Sequence, residues 1–264
     1  ILISMKKSYS LALWWWAARW LAHIWIIKYL EENDIKIKEI SWTSMWAIIW
    51  ALFAMWKTSE EISKFAKWIN YLKLIDMDLS HWVLKWQKVI KKLEEVFWNK
   101  NIEDLNTKLV IVATNIESWE KEVFKKWRIV DAIRASISLP WIFIPHKIWD
   151  NSYVDGGISN NLPIEVLSWK DIIAVSALKK VNTPLKKKRT ILWFDLPVWF
   201  LNINFQILQR TILLMMKQNE DRSLDTKGKN IIYINPNKNN LDFYNFDKVD
   251  EFIKNWYNKA RELI

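Results

Sequence analysis

The stretch Ile35-Lys36-Ile37-Lys38-Glu39-Ile40-Ser41-Trp42-Thr43-Ser44-Met45-Trp46-Ala47-Ile48-Ile49-Trp50-Ala51-Leu52-Phe53-Ala54-Met55 decides the fold. Its first part, Ile35–Ser41, alternates apolar and polar residues and reads as a strand. Its last part, Ala47–Met55, reads as a buried helix. A sharp turn joins them, and that turn carries Ser44. The run Ile40–Trp56 is about as long as a membrane span. It holds Ser41, Thr43 and Ser44 and has no flanking charge asymmetry, so a buried strand-turn-helix is the preferred reading.

Working outward, Ser8–Leu13 alternates as a first strand, Trp14–Trp20 is a loop, and Leu21–Asn33 is an amphipathic helix with Ile24, Ile27 and Leu30 on one face. Ser59–Lys67 and Gln87–Phe97 are expected helices. Lys108–Asn115 is a strand with a hairpin partner at Glu120–Phe124. Arg128–Ser136 is a short helix stopped near Pro140. Strands follow at Ser152–Asp155, Asp171–Ser176 and Asn230–Ile234. Val181–Arg189 is a basic connector, Phe200–Leu224 a long helix and Val249–Leu263 a closing helix, while Leu72–Leu84 is a candidate lid. Strands alternating with helices predict a three-layer α/β/α domain with a largely parallel sheet. Ligand sites in such sheets lie beyond the carboxyl ends of the strands. Ile1–Ser4, ahead of Met5, read as an upstream extension, with 5–264 as one domain.

The 264 residues include 3 glycines and 21 tryptophans. Ordinary usage predicts roughly 7 % glycine, about 18 residues in such a chain. The tryptophans stand where turns want glycine. Trp119 lies between two strands, Trp56 follows a helix, and Trp149 and Trp169 sit in polar turns. A left-handed conformation costs a side-chain-bearing residue about 1–2 kcal/mol. Overpacking a core adds about 1–3 more. Some fifteen such residues would exceed a total stability of about 5–15 kcal/mol. The expectation is that these codons are UGA, read as glycine by the organism and as tryptophan in a standard translation. Trp193 and Trp199, among Phe194, Leu196 and Phe200, are the candidates for genuine tryptophan.

With glycine at Trp42 and Trp46, Trp42-Thr43-Ser44-Met45-Trp46 becomes G-x-S-x-G, a nucleophile elbow between strand and helix. Its neighbours must be small because the serine sits in a strained turn. The dipole of the following helix favours negative charge developing there. The plainer role for Ser44 is a helix N-cap. Trp14-Trp15-Trp16-Ala17-Ala18-Arg19-Trp20 becomes G-G-G-A-A-R-G after a strand. Its exposed N–H groups suit an oxyanion hole or a phosphate cradle of the dinucleotide-binding type. The cradle expects an acidic residue at the end of the second strand, where the serine elbow stands instead. Arg19 would orient the loop, contact an anionic head group, or simply brace the surface. The third motif is Asp155-Gly156-Gly157, a strand-end carboxylate on a glycine turn that could serve the serine as base; alone it would be an ordinary turn. None of His23, His81 and His146 has metal-site spacing. No histidine follows His146, where a Ser-His-Asp order would place one, which favours a Ser-Asp pair.

This ordered set resembles the patatin-like phospholipase family, particularly its small bacterial members. The likeness adds Arg134-Ala135-Ser136-Ile137-Ser138-Leu139-Pro140-Trp141 and Gln218-Asn219-Glu220-Asp221-Arg222 and runs from about Met5 to near the C-terminus. It implies a patatin fold and hydrolysis of lipid acyl esters through an acyl-enzyme. Ser44 would be nucleophile and Asp155 base, with N–H groups around Trp14–Ala17 holding the oxyanion. It implies no metal and no organic cofactor. Tryptophan at 15 and 16 would crowd that hole, so the tryptophan-bearing chain is expected to be inactive. A catalytically silent lipid-binding or regulatory module is the alternative. The formal charge of +10 suits peripheral contact with an anionic membrane. The lysines are scattered, so nucleic acid is not an expected partner. The absence of cysteine excludes disulfides and a thiol nucleophile and fits the cytoplasm, with the inner face of the membrane as the place of contact.

Overall fold

A computed structural model of the chain describes residues 8–14, 21–44, 47–68, 77–78, 83–84, 87–140, 143–176, 178, 202–235 and 257–264. In chain order the elements are β1 (Ser8–Trp14), α1 (Leu21–Glu32), β2 (Lys36–Thr43), α2 (Ala47–Ala54), α3 (Ser59–Trp68), β3 (Met77–Asp78), β4 (Val83–Leu84) and α4 (Gln87–Phe97). A short 3₁₀ turn, Ile102–Asp104, precedes β5 (Lys108–Asn115), β6 (Lys121–Phe124), α5 (Ile129–Ser136), β7 (His146–Ile148) and β8 (Asn151–Asp155). Then come α6 (Gly157–Asn160), β9 (Asp171–Ser176), α7 (Asn202–Leu224) and β10 (Asn230–Ile234). Residues 257–263 are helical.

Five strands, in the order β10-β9-β1-β2-β5, are parallel throughout. Strands covered on both faces read as continuous apolar runs rather than alternating ones. Leu11–Leu13, Ile111–Ala113 and Ile172–Val175 are accordingly buried without a break. The helices pack as two groups, α1, α2 and α3 with α5 and α4 in one, α6 with α7 in the other. This is the layered, largely parallel architecture expected, with antiparallel strands added at one end.

That end positions the site. β6 pairs with β5 over Ile111–Thr114, β2 over Lys108–Val112 and β8 over Ala113–Asn115. A strand has two edges, and β6 overlaps both of the others, so β2 and β8 share the edge opposite β6. They run in opposite directions along it. Thr43 pairs with Val112 and Asp155 with Ala113, so the carboxyl ends of β2 and β8 meet at consecutive residues of β5.

Among the described residues, the non-glycine positions with positive φ are Asp34, Ser44, Trp56, Trp98, Trp119 and Trp149. The four tryptophans, at φ 47° to 65°, are 74–88 % exposed. Their indoles gain little burial to offset a left-handed backbone. Trp56, Trp119 and Trp149 are turns singled out from sequence; Trp98, at the end of α4, is a further one.

Some boundaries differ from expectation. β2 runs on to Thr43 because its ladder with β5 continues to Val112. Of the candidate lid, Met77–Asp78 and Val83–Leu84 form a small antiparallel pair off the main sheet. The connector Val181–Arg189, Trp193 and Trp199 lie outside the described residues.

Candidate active site

Ser44 is the first residue after β2. Its φ of 76° takes the chain out of the strand toward α2, as an elbow requires. Its N–H donates to Ser136 Oγ at 2.8 Å, and Ser136 Oγ donates on to Val112 O at 2.7 Å. The turn is therefore fastened to the last residue of α5 and to the strand beneath. Thr43, one residue earlier, donates from Oγ1 to Asn160 O at 2.8 Å.

The meeting of β2 and β8 brings Ser44 Oγ to 2.5 Å from Asp155 Oδ2. The other carboxylate oxygen, Oδ1, accepts the Gly157 N–H at 2.8 Å. The Asp155 main chain is tied on both sides, its N–H to Ser138 O at 2.9 Å and its carbonyl to Thr114 Oγ1 at 3.0 Å. Gly156 has a steric reason. A Cβ built there would lie 2.2 Å from Val112 O and 3.0 Å from Thr43 Cγ2, so only glycine fits where the two strand ends converge.

Asp155 is 1 % exposed. Burial pushes its carboxyl up to about 6, against the lowering influence of the Ser44 hydroxyl and the Gly157 amide. At neutral pH such a group is mostly ionised yet basic enough to take a proton from the hydroxyl it contacts. Neither Ser44 nor Asp155 has a histidine partner among the described residues. His23 is buried, receives the Trp50 indole N–H at 2.9 Å and is pushed down to about 3 by desolvation. His146 Nε2 lies 3.4 Å from Asp131. Among the described residues no three His, Cys, Asp or Glu side chains gather as a metal site.

The Ser44 N–H is engaged by Ser136, so donors for an oxyanion would have to come from elsewhere. The candidate supplier is well placed at its root. Leu13 pairs with Trp42, and Trp14 is the next residue, so the glycine-like loop leaves β1 beside the elbow. Trp15, Trp16, Ala17 and Arg19 lie outside the described residues, as do Met45 and Trp46. Trp42 is fully buried, edge-on to His23 and stacked on Trp50, and its Nε1 donates to Ser44 O at 2.8 Å. A large side chain is thus accommodated at the first elbow position. Of the residues named from sequence, the structure brings together Ser44, Asp155, Gly156 and Gly157.

Sequence reading assigned no role to Ser136, Ser138, Thr114 or Asn160. The first two lay inside a quoted motif, Arg134–Trp141. Its Arg134 is buried and donates to Ser138 Oγ and, at 2.8 Å, to Ile144 O, bracing the turn after α5. Thr114 and Asn160 carried no local signal, because their partners are brought in by strand register.

The family model for patatin-like phospholipases matches residues 17–168. An uncharacterized NTE family protein of Mycobacterium tuberculosis is 30 % identical over 168 residues, covering 61 % of this chain and 46 % of that protein. The lysophospholipase NTE1 of Meyerozyma guilliermondii is 25 % identical, covering 99 % of this chain and 19 % of its own. Human patatin-like phospholipase domain-containing protein 6 is 27 % identical over 180 residues, which is 13 % of its length. The chain thus spans less than half the length of these relatives. Among solved structures, VipD from Legionella pneumophila superposes with a TM-score of 0.58 over 98 % of this chain and 66 % of its own, at 14 % identity. That likeness concerns the fold alone.

Proposed function

Because the chain belongs to the patatin-like phospholipase family, whose model covers more than half of it, we propose that it is a serine acyl hydrolase of lipid esters. The observation that carries this reading is the 2.5 Å approach of Ser44 Oγ to the buried carboxyl of Asp155, across a left-handed turn at a strand end.

Ser44 Oγ attacks the ester carbonyl carbon while its proton passes to Asp155 Oδ2. Backbone N–H groups of the loop that leaves β1 receive the negative charge that develops on the carbonyl oxygen, with Arg19 in the role of orienting that loop. The tetrahedral intermediate collapses, the C–O bond to the alcohol breaks, and Asp155 returns the proton to the leaving alkoxide. Asp155 then deprotonates a water, which attacks the acyl-serine. The fatty acid leaves and Ser44 recovers its proton. The reaction needs no cofactor. The working enzyme carries glycine where tryptophan stands in the turns and in the loop at 14–16, as the four exposed left-handed tryptophans support. The absence of cysteine and the charge of +10 support action in the cytoplasm, in peripheral contact with anionic lipid.

The test is hydrolysis of a short-chain p-nitrophenyl ester and of a lysophospholipid by the chain with glycine at every tryptophan except Trp193 and Trp199. Ser44→Ala and Asp155→Asn serve as controls. Turnover lost in both supports the reading. A second reading, a silent lipid-binding module, is favoured by the snug burial of Trp42 and its bond to Ser44 O. A folded glycine-bearing chain with no turnover above the Ser44→Ala control would decide for it.

A further inference from the structure

The motif Gln218-Asn219-Glu220-Asp221-Arg222 takes no part in the reaction as written, yet two of its residues, Asn219 and Glu220, turn inward from α7 while the other three are exposed. Glu220 is fully buried. Its carboxylate accepts from Ser176 Oγ at the end of β9, from Tyr233 OH of β10 at 2.8 Å and from Lys217 Nζ at 3.3 Å. Truncating Glu220 takes the acceptor from the Ser176 and Tyr233 hydroxyls, whereas Lys217 is half-exposed and keeps Asp221, so it is through those two hydroxyls that Glu220 ties α7 to two strands.

From that fixed helix two side chains reach the turn that bears Asp155. Asn219 Nδ2 donates to Ile158 O at 2.9 Å, and Ser223 Oγ bonds Asn160 Oδ1 at 3.3 Å. Ile158 and Asn160 belong to α6, a single helical turn of four residues. One turn of helix does not hold its own geometry in water. Yet α6 supplies the Gly157 N–H to Asp155 Oδ1 and the Asn160 carbonyl that fastens Thr43. Both partners of the reacting pair thus depend on how α6 is held.

We propose that Asn219 is a positioning residue for the reaction: by anchoring Ile158 it aims the Gly157 N–H at the Asp155 carboxylate and holds Asp155 toward Ser44. The proposal rests on the reading of Ser44 and Asp155 given above. Glu220 and Ser223 are its supports, the first fixing the helix and the second doubling the tie to α6.

The mechanism acts on the ionised form of Asp155. An N–H that donates to a carboxylate stabilises the charge, and here it opposes the upward push of burial. Loosening α6 lets that push win. The charged groups on the surrounding elements are Arg134 and Asp131 of α5, the first buried and bonded to Ser138, Lys121 and Glu122 of β6, Glu165 with Lys121, and Glu220 with Lys217 on α7. The influences on the Asp155 carboxyl are burial, Ser44 and Gly157. The partners of the Asp155 carboxyl are Ser44 and Gly157 alone among the described residues.

The experiment compares the glycine-bearing parent with Asn219→Leu, which keeps bulk and loses the donor, and Asn219→Gln, which keeps an amide. The Asp155 carboxyl carbon, assigned by its absence in Asp155→Asn, is titrated by carbon NMR. Thermal melts report folding. The midpoint moves upward from the parent value in Asn219→Leu and returns toward it in Asn219→Gln. With a p-nitrophenyl ester, kcat/KM of Asn219→Leu falls about tenfold at pH 6 and less than about twofold at pH 8. If Asn219→Leu does not fold, Ser223→Ala is titrated instead, with a smaller shift in the same direction. A folded variant whose Asp155 titrates as in the parent overturns the proposal. The titration needs no turnover, so it decides the role of Asn219 even if the parent hydrolyses no faster than Ser44→Ala, which overturns the acyl hydrolase reading instead.

Discussion

At Asp155 a carboxyl 1 % exposed must stay ionised for the proposed chemistry. Its value near 6 in the folded chain lies above about 3.9 for an unfolded aspartate. Between these values the native state holds the proton more tightly, so stability falls as pH rises through the window. By pH 7 the loss is roughly 3 kcal/mol. Asp155→Asn removes this conflict. Its melting temperature is expected to exceed the parent's at pH 8, the gap closing toward pH 4, while turnover is lost. Melts at the two pH values check it, and an equal gap at both contradicts it. His23 has the opposite sign. Held near 3 by burial, it lowers stability as pH falls below about 6.5, where the unfolded imidazole takes a proton. The left-handed tryptophans make a second residue-scale prediction. Glycine relieves about 1–2 kcal/mol of strain and returns about 0.5–1 as backbone entropy. Trp56→Gly, Trp98→Gly, Trp119→Gly and Trp149→Gly should each raise stability modestly, most clearly in combination. UGA at those codons and at Trp14, Trp42 and Trp46, and glycine in the corresponding peptides of the native protein, are the expected readings; UGG codons at Trp14, Trp42 and Trp46 contradict them.

At the scale of elements, the site exists because β2 and β8 end against each other on one edge of β5. Gly156→Ala drives a methyl into the Val112 carbonyl and is expected to destabilise by about 1–3 kcal/mol and to part Ser44 from Asp155. Ser136→Ala removes the acceptor of the Ser44 N–H. Its kcat is expected to drop about tenfold, the worth of one hydrogen bond, with KM little changed. An unchanged kcat would show that the elbow does not depend on α5. The strand-turn-helix around Ser44 was legible because period-2 and apolar runs are local signals, and the same holds for Lys108–Asn115 and Asp171–Ser176. The convergence of Ser44 and Asp155 was inferred from motif chemistry, since it depends on register between strands far apart in sequence. Nothing local marks Asn160, and Ser136 stood in a motif that gave it no role, because their partners come from other elements; Trp98, followed by Asn99 and Asn101, did carry a local turn signal at the end of α4.

Across the whole molecule, the charge of +10 is the feature that bears on how a lipid surface is met. No helix among the described residues is long and apolar enough to cross a membrane. Cosedimentation with vesicles is expected to be strong for anionic lipid at low salt, weak for zwitterionic lipid, and to fade as salt screens the charges. Equal binding to both lipids would remove the electrostatic account. The layered fold and the β5–β6 hairpin were legible from local pattern, whereas the pairing of β8 with β5 was not, because it joins antiparallel strands about 40 residues apart in sequence, and the three-residue β7 is too short to carry a period. The central claim is that Ser44, activated by Asp155, takes up the acyl group. Its most direct test is treatment of the glycine-bearing chain with a fluorophosphonate ester, followed by peptide mass spectrometry. The account predicts a phosphonyl adduct on Ser44, absent in Ser44→Ala and formed far more slowly in Asp155→Asn. An adduct on another serine, or labelling of Ser44 at the same rate without Asp155, contradicts it.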